Sequence, residues 1–160
     1  MGTRHRSVAL LRAITNLPMQ PFRDAMQQMG FTGVESYGMS GNLLFDTTTT
    51  DTRALERRIG KRFGTDAFVR THAEMKRAVA HDPLAAIVMF LERPPPAARR
   101  RAFLGLDVQD PRPVLIGRTL YFSYPLLLRG RRIPLDIEDR LAVRGTFRTS
   151  RVVAALLARM

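Results

Sequence analysis

The sequence lacks cysteine and tryptophan altogether, and only two of its 26 basic residues are lysines. Without cysteine, the chain forms no disulfide, binds no metal through a thiolate and offers no cysteine nucleophile. No apolar run approaches the ~20 residues that a membrane-spanning helix needs, and no apolar segment of the signal-peptide type follows Met1. We therefore expect a cytoplasmic protein that does not enter a membrane.

Motifs that would identify an enzyme or a cofactor site are also missing. Residues 38–41 resemble the turn that presents a nucleophilic serine, but one residue is missing between Ser40 and the second glycine, and both flanking elements are predicted strands. No phosphate-binding glycine-rich motif occurs. His5, His72 and His81 have neither the spacing nor the carboxylate neighbours of metal ligands. We expect no metal and no cofactor, and the sequence favours, without deciding, a non-enzymatic role.

Net charge is the extreme property of this sequence. Its 26 basic and 14 acidic residues give a formal net charge of +12, while 45% of the residues are hydrophobic, as in an ordinary globular protein. A net charge this positive is typical of proteins that bind phosphate-bearing partners. A preference for arginine over lysine is also what a GC-rich genome produces, and both explanations stay open.

Hydrophobic periodicity predicts an α+β fold that begins with a ferredoxin-like lobe. Short apolar runs bounded by turn residues indicate strands, and apolar residues at intervals of three or four indicate helices. The predicted strands are residues 7–14, 34–39, 43–45 and 67–71, and the predicted helices are residues 18–29 and 51–63. This order, βαββαβ, is that of the ferredoxin-like unit.

A second lobe follows, which repeats the first without its closing strand. Residues 71–74 fit a capping box, so a helix should begin at His72 and end near His81. Beyond it we expect strands at residues 84–91, 114–116 and 119–124, and helices ending near residue 106, at 135–141 and at 150–160. The second lobe is therefore expected to be an incomplete βαββα unit with C-terminal helices. The whole chain should form one compact unit, with an N-terminal lobe at residues 1–71 and a C-terminal lobe at residues 72–160.

Clusters of basic residues are the candidates for contact with an anionic partner. One predicted helix carries Arg53, Arg57 and Lys61 on a single stripe with Arg58 beside it, and three consecutive arginines at residues 99–101 open another helix. Such stripes are usually solvated faces, whereas a flexible Arg-rich loop close to a helix N-terminus is suited to hold a phosphate. The C-terminal candidates of this second kind are Arg129, Arg131, Arg132, Arg144, Arg148 and Arg151.

A ferredoxin-like lobe with positive charge suggests an RNA-recognition module, which stacks bases on aromatic residues of its first and third strands. Here those two strands contain one aromatic residue, Phe45. Stacking of that kind is therefore disfavoured. Any nucleic-acid binding should be dominated by phosphate contacts, sensitive to salt and independent of base sequence.

Several segments occur in an order that resembles a known family. They are Val8-Ala9-Leu10-Leu11-Arg12, Pro18-Met19, Met29-Gly30-Phe31-Thr32-Gly33-Val34 and Ser40-Gly41-Asn42-Leu43-Leu44-Phe45. Tyr124-Pro125 and Thr146 with Arg148 lie at similar positions near the C-terminus. The sequence thereby resembles the DUF1697 family of bacterial proteins of unknown function. The resemblance implies a two-lobed α+β fold and brings no reaction with it.

The chain also departs from the family pattern. The family has a glycine-rich loop where this chain has the shorter segment 13–17, of sequence Ala-Ile-Thr-Asn-Leu. Residues 129–133 keep the positive charge of the family segment but not its pattern. In the C-terminal motif Arg148 and Leu156 persist, whereas the family's Asn, Trp, Thr and Lys do not. If these segments form the family's site, this member has remodelled it.

Three hypotheses for function remain. The leading one is a non-enzymatic module whose Arg-rich C-terminal surface binds a phosphate-bearing partner, nucleic acid included. The second is an enzyme that acts on a small anionic substrate in a cleft between the lobes, with Arg12, Asn42 and Arg148 in one pocket. The third is a homo-oligomeric interaction protein.

Overall fold

The computed structural model describes residues 2–81, 87–107, 112–123, 127–128, 131–132 and 136–160. Within these residues the chain is a mixed α+β protein with two four-stranded antiparallel sheets, a two-stranded ribbon and six helices. The α+β prediction is therefore confirmed. Every helix in the described ranges is too short or too polar to cross a membrane. The chain divides into two compact units, residues 1–79 with 154–160, and residues 80–153.

The first unit is built on one of the four-stranded sheets. Its elements are β1 (His5–Leu11), α1 (Gln20–Gln28), β2 (Thr32–Tyr37), β3 (Asn42–Thr47), α2 (Thr52–Phe63), β4 (Ala67–Thr71) and α3 (His72–Ala80). The strands lie in the order β2-β3-β1-β4, and every neighbouring pair is antiparallel. The central strands are therefore β3 and β1, and β4 lies at one edge.

Capping residues set the helix boundaries in this unit. Asp51 Oδ1 accepts a hydrogen bond from the Ala54 N–H (3.0 Å) at the start of α2, and Gly64 ends that helix with φ 65°. The capping box predicted at the start of α3 is confirmed. The Thr71 N–H donates to Glu74 Oε2 (2.9 Å), and the Glu74 N–H donates to Thr71 Oγ1 (3.3 Å).

One face of this sheet packs against α1 and α2. Alternate residues of the strands point to this face, because side chains alternate along a strand. Burial of this apolar set stabilises the unit, because removal of apolar surface from water is favourable. Its buried members are Ala9, Leu11, Met19, Met26, Phe31, Leu43, Phe45, Leu55, Ile59, Ala67 and Val69.

The turn between β2 and β3 spans residues 38–41. Gly38 and Gly41 adopt φ values of 64° and 75°, which other residues rarely adopt. A Cβ on Gly41 would lie 2.8 Å from that of Leu11. We expected Asn42 to belong to this turn, but Asn42 is the first residue of β3. Its Nδ2 donates to the Tyr37 carbonyl (3.0 Å), which closes the hairpin.

In the loop after β1, Ala13 (φ 59°) and Asn16 (φ 54°) adopt left-handed backbone angles although neither is a glycine. In the family pattern a glycine-rich loop occupies this segment. Residues that are not glycine therefore adopt backbone angles that favour glycine here, which is costly for alanine in particular.

The second unit contains the other four-stranded sheet. Its elements are β5 (Ile87–Leu91), α4 (Ala97–Leu104), β6 (Val114–Ile116), β7 (Thr119–Phe122), β8 (Leu127–Leu128), β9 (Arg131–Arg132), α5 (Ile137–Leu141) and β10 (Gly145–Thr149). The last helix, α6 (Ser150–Leu157), begins in this unit and ends in the first. The sheet order is β10-β5-β7-β6, again antiparallel throughout, and β8 pairs with β9 as a separate ribbon.

The prediction of an incomplete second lobe is wrong, because β10 is the closing strand. It pairs with β5 from Gly145 opposite Leu91 to Thr149 opposite Ile87. Its sequence, Gly-Thr-Phe-Arg-Thr, has one large apolar residue and no turn residue before the helix that follows. Periodicity therefore gave no strand signal, and pairing with the apolar β5 decides its conformation.

A second apolar core lies on one face of this sheet, against α4 and α5. Phe103 of α4 and Leu141 of α5 are buried there with the inward residues of β5 and β7. The full set is Met89, Leu91, Phe103, Leu115, Leu120, Phe122, Ile137, Leu141 and Val143. Each unit therefore has its own core.

The closing strands β4 and β10 share a buried arginine at their fourth position. Arg70 Nη1 donates to the carbonyl of the preceding Val69 (3.0 Å), and Arg148 Nη1 donates to the carbonyl of the preceding Phe147 (2.9 Å). Each arginine lies opposite a valine of the neighbouring strand, at residues 8 and 88. The two units therefore repeat a residue-level feature that sequence comparison did not reveal.

A threonine follows each of these arginines and begins the next helix in the same way. Thr71 Oγ1 accepts from the Glu74 N–H and Thr149 Oγ1 accepts from the Val152 N–H, both at 3.3 Å. Strand and helix are joined without a linker in both units, because the threonine ends one element and caps the other.

Candidate functional site

A cleft of about 460 Å³ opens at the end of β5 in the second unit. Small-molecule sites commonly have volumes of roughly 300–1,000 Å³. Most of the residues around this cleft are charged, which distinguishes it from a gap in apolar packing. The cleft is lined by Glu92, Arg93, Glu138, Asp139, Ala142, Val143 and Arg144.

Backbone hydrogen bonds bring the two chain segments of the cleft together. The Glu92 N–H donates to the Arg144 carbonyl (2.9 Å), which joins the end of β5 to the residue before β10. Ala142 ends α5 in the left-handed region at φ 54°. Its carbonyl accepts a hydrogen bond from Arg93 Nη2 (3.2 Å). The guanidinium of Arg93 therefore spans the cleft from one segment to the other.

The charged side chains of the cleft differ in whether they already form hydrogen bonds or ion pairs within the protein. Glu138 Oε1 accepts from the Gly145 N–H (2.8 Å), and Glu92 Oε2 lies 3.9 Å from Arg93 Nη1. Asp139 is exposed, and its carboxylate has no hydrogen bond or ion pair with the described residues. The cleft thus presents guanidinium groups and carboxylates together, and suits a ligand that carries both an anionic group and hydrogen-bond donors.

Sequence reasoning named only Arg144 among these residues. Residues 92–93 and 138–144 are far apart in the chain, and neither segment has a motif of its own. Their meeting depends on β5 pairing with β10, and β10 was not predicted.

Arg12 lies at the matching corner of the first unit. Its N–H donates to the Asp66 carbonyl (3.0 Å), as the Glu92 N–H does to the Arg144 carbonyl. Arg12 Nη1 also lies 3.7 Å from Asp66 Oδ2, and Thr65 Oγ1 donates to the Arg12 carbonyl (2.9 Å). In the first unit the base precedes the acid in sequence, whereas the acid comes first in the second.

Two of the predicted anion-binding residues are interior. Asn42 is 2% exposed and its amide closes the hairpin. Arg148 is 8% exposed, and its Nη1 donates to Thr146 Oγ1 (2.8 Å) and to the Phe147 carbonyl (2.9 Å). Burial lowers the pKa of Arg148 to about 10. Their anion-binding role stays a prediction, and their contacts are those of structural residues.

A buried ion pair in the first unit joins two residues that sequence reasoning did not name as candidates. Arg70 is 1% exposed and its Nη1 lies 3.3 Å from Glu56 Oε1. The same carboxylate oxygen accepts from the Val69 N–H (3.0 Å). By sequence pattern alone, a buried charged residue cannot be distinguished from an exposed one. The burial of this ion pair was therefore not predicted.

The predicted basic face of α2 is present in part. Arg53, Arg57 and Lys61 lie exposed at intervals of four residues, and so share one side of the helix. Arg58 instead donates to the Met29 carbonyl and so fastens α2 to the end of α1. All four cations are exposed, and Arg53, Arg57 and Lys61 form the stripe beside which Arg58 lies.

The three consecutive arginines of α4 begin near its N-terminus. Arg99 and Arg101 are exposed and Arg100 is partly exposed. Within the described ranges, none of the three forms an ion pair or a hydrogen bond through its side chain. The first turn of α4 has no acidic residue either. This helix therefore presents positive charge that neighbouring carboxylates do not neutralise.

The structure describes the remaining C-terminal anion-binding candidates only in part. Arg129 lies outside the described residues, as does Tyr124-Pro125. Arg131 and Arg132 form β9, of which only the backbone is described. Arg151 is exposed in the first turn of α6. In the part of the chain that the structure describes, no group of three His, Asp or Glu residues is arranged to hold a metal ion.

Comparisons with known proteins identify the family and the fold. A family model described as "Protein of unknown function (DUF1697)" matches residues 5–121, and no curated protein matches. The structure is similar to that of a conserved bacterial protein, SP0830, from Streptococcus pneumoniae. The TM-score is 0.68 over 98% of both chains, at 16% sequence identity, so the likeness is one of fold. Because the family model covers well over half of the chain and agrees with the resemblance of its N-terminal segments, this protein belongs to the DUF1697 family.

Proposed function

We propose that this protein is a non-enzymatic module that binds phosphate-bearing polymers, single-stranded nucleic acid above all, through exposed arginines. The observation that carries the proposal is the run of Arg99, Arg100 and Arg101 on α4, whose side chains have no carboxylate partner among the described residues. Exposed cations of this kind attract and contact phosphate groups.

The distribution of the acidic residues supports this proposal. Acidic groups are scarce in this chain, and many of those in the described residues have an internal structural contact. Asp46 and Glu35 pair with Arg6 at 3.3 and 3.0 Å. Asp51 caps a helix, and Asp136 pairs with Arg140 at 2.9 Å. Since these carboxylates pair with other arginines or cap a helix, they do not neutralise the arginines of α4.

Further exposed cations add to the positive potential that would attract such a polymer. Arg57 and Lys61 on α2 and Arg151 on α6 have no ion-pair partner in the described ranges. Long-range attraction by such groups accelerates the association of a polyanion, an effect that salt screens.

A half-exposed aromatic ring favours single strands over duplex. Phe147 is 50% exposed on the edge strand β10. An exposed ring can stack an unpaired base, which contributes about 1–3 kcal/mol per base in single-strand binding proteins. Stacked bases inside a duplex are not accessible to such a ring.

The finer fold assignment is also a proposal. Each unit has the element order βαββαβ, with sheet orders β2-β3-β1-β4 and β6-β7-β5-β10. The matching orders support the interpretation of both units as ferredoxin-like lobes, the second with the β8–β9 ribbon inserted before α5.

Fluorescence anisotropy with a labelled 20-nucleotide random single strand tests the function. We expect binding at 50 mM salt that weakens strongly at 200 mM. The triple variant R99Q/R100Q/R101Q should flatten the log–log salt dependence by about 2, because each phosphate contact on a single strand contributes a slope of about −0.7.

A matched control separates a binding site from a general effect of charge. The variant R62Q/K76Q/R77Q removes three exposed cations from α2 and α3 and leaves α4 unchanged. We expect it to bind nearly as the wild type does. No binding at 50 mM salt, or an equal loss in both triple variants, would contradict the assignment to α4.

A further inference from the structure

The charged cleft at the end of β5 differs from the Arg-rich helix surface because carboxylates line it together with guanidinium groups. We propose that it holds one nucleotide of the bound strand and favours guanine, with the base against Asp139 and the adjoining phosphate against Arg93 and Arg144. This inference rests on the proposed function, and it adds a base preference that phosphate contacts alone cannot provide.

The lining of the cleft suits a ligand that carries both an anionic group and hydrogen-bond donors. Arg93 and Arg144 are exposed and donate only, whereas Glu92, Glu138 and Asp139 accept only when ionised. A nucleotide supplies the anion for the arginines and N–H groups for the carboxylates. A simple anion would meet three like charges in the same space.

Asp139 is the carboxylate best placed to contact a base. Glu138 already accepts from the Gly145 N–H at 2.8 Å, and Glu92 faces the guanidinium of Arg93 at 3.9 Å. Asp139 is exposed on α5 and makes no side-chain hydrogen bond or ion pair with the described part of the chain. A base can therefore pair with it without breaking an interaction of the fold.

Guanine fits a carboxylate better than the other bases do. Its Watson–Crick edge places the N1–H and an N2–H side by side, so both can donate to the two oxygens of one carboxylate. Adenine offers one donor beside the N1 acceptor, which a carboxylate repels. Unpaired bases are read on these edges in single-stranded recognition.

The path of the strand is consistent with the position of α4. Arg93 and Arg99 are six residues apart in the chain, so their Cα atoms are separated by at most roughly 20 Å. Residues 94–96 between them are three prolines, which make the connection stiff. Phosphates next to a base in the cleft would therefore be within reach of the three arginines on α4, in the same unit.

The matching corner of the first unit provides a contrast. There Arg12 pairs with Asp66 at 3.7 Å, and Thr65 Oγ1 donates to the Arg12 carbonyl. In the second unit the acidic and basic residues are exchanged. By their backbone hydrogen bonds, Glu92 corresponds to Arg12, and Arg144 corresponds to Asp66. We assign the base preference to the second unit alone.

Anisotropy with the labelled RNA pentamers UUGUU and UUAUU at 50 mM salt tests the inference. We expect the wild type to bind UUGUU about fivefold or more tightly, the lower end of the discrimination that a good paired contact to a base gives. The D139N variant should lose or reverse this preference, because an amide can pair with the donor and acceptor of adenine. The control D107N removes another exposed carboxylate of the second unit, outside the cleft, and should keep the preference.

The outcomes separate this inference from the proposed function. Equal affinity for both pentamers, or a preference that D139N leaves unchanged, overturns the guanine site while phosphate binding by α4 stands. If neither pentamer and no random strand binds at 50 mM salt, both proposals are wrong.

Discussion

Removal of the carboxylate from the buried Glu56–Arg70 pair should be among the most destabilising single changes to the first unit. Arg70 is 1% exposed and Glu56 8% exposed, with 3.3 Å between Nη1 and Oε1. At an effective dielectric constant of about 20, their attraction at this distance is about 5 kcal/mol. The Glu56→Ala variant leaves the guanidinium buried without this partner, and it also removes the acceptor of the Val69 N–H. We expect a loss of about 4 kcal/mol in the free energy of unfolding.

Two further variants separate charge from hydrogen bonding at this pair. Glu56→Gln keeps an oxygen for the Val69 N–H but removes the negative charge, so its cost should be smaller, about 2–3 kcal/mol. The double variant E56Q/R70M removes both charges and should be more stable than E56Q alone. A double-mutant cycle of E56Q and R70M then isolates the coupling between the two side chains, expected at about 2–4 kcal/mol.

Urea unfolding followed by far-UV circular dichroism measures these differences. Arg53→Met is the matched control, because Arg53 also faces Glu56 but at 4.0 Å and with 46% of its side chain exposed. We expect it to cost less than about 1 kcal/mol. A loss below about 1 kcal/mol for E56A, or a coupling energy near zero, would refute the idea that this pair organises the unit.

Two further predictions concern backbone strain and pH. The variants A13G and A142G should each stabilise the protein by about 1 kcal/mol, because both alanines have a positive φ that glycine adopts without strain; lower urea midpoints for both would contradict this. Arg148 should make the stability depend on pH above 10, since burial lowers its folded pKa to about 10, below the usual value of an arginine. Between the folded pKa and the usual value, the unfolded chain binds more protons than the folded chain, so the free energy of unfolding rises with pH. The destabilisation caused by burying the charged guanidinium is therefore full below pH 10 and is lost as pH rises. Relative to R148M, the wild type should gain about 1 kcal/mol between pH 9 and pH 11 in urea titrations, and a constant difference would show that burial does not lower this pKa.

Sequence predicted best those elements whose ends carry their own chemical signals. Asp51 and Gly64 bracket α2, and the capping box of Thr71 and Glu74 places the start of α3 at the residue predicted. These signals are local, because a cap needs only the residues within one turn of it. The family resemblance was also carried by local segments in the first half of the chain.

The elements that sequence missed depend on contacts between distant residues. β10 pairs with β5, and its sequence has too few apolar residues to show the alternation by which a strand is recognised. Arg70 and Arg148 are buried by the sheets in which they lie, and an arginine in a five-residue strand otherwise suggests an outward face. The Arg-Thr pair repeats at the ends of β4 and β10, but the same pair also occurs at residues 118–119, where a turn leads into β7, so it does not by itself identify a closing strand. The cleft could not be foreseen, since it joins residues 92–93 to residues 138–144.

The carboxylates that meet the closing strands also bear on self-association. β4 and β10 lie at sheet edges, where unused N–H groups invite pairing with a strand of another molecule. Glu56 occupies the N–H of Val69, and Glu138 occupies the N–H of Gly145. A strand approaching either edge would find one N–H donor already taken by a carboxylate. Pairing of a strand from another molecule with β4 or β10 is thereby disfavoured. Among the described strands, the edges without such a carboxylate contact are β2 and β6.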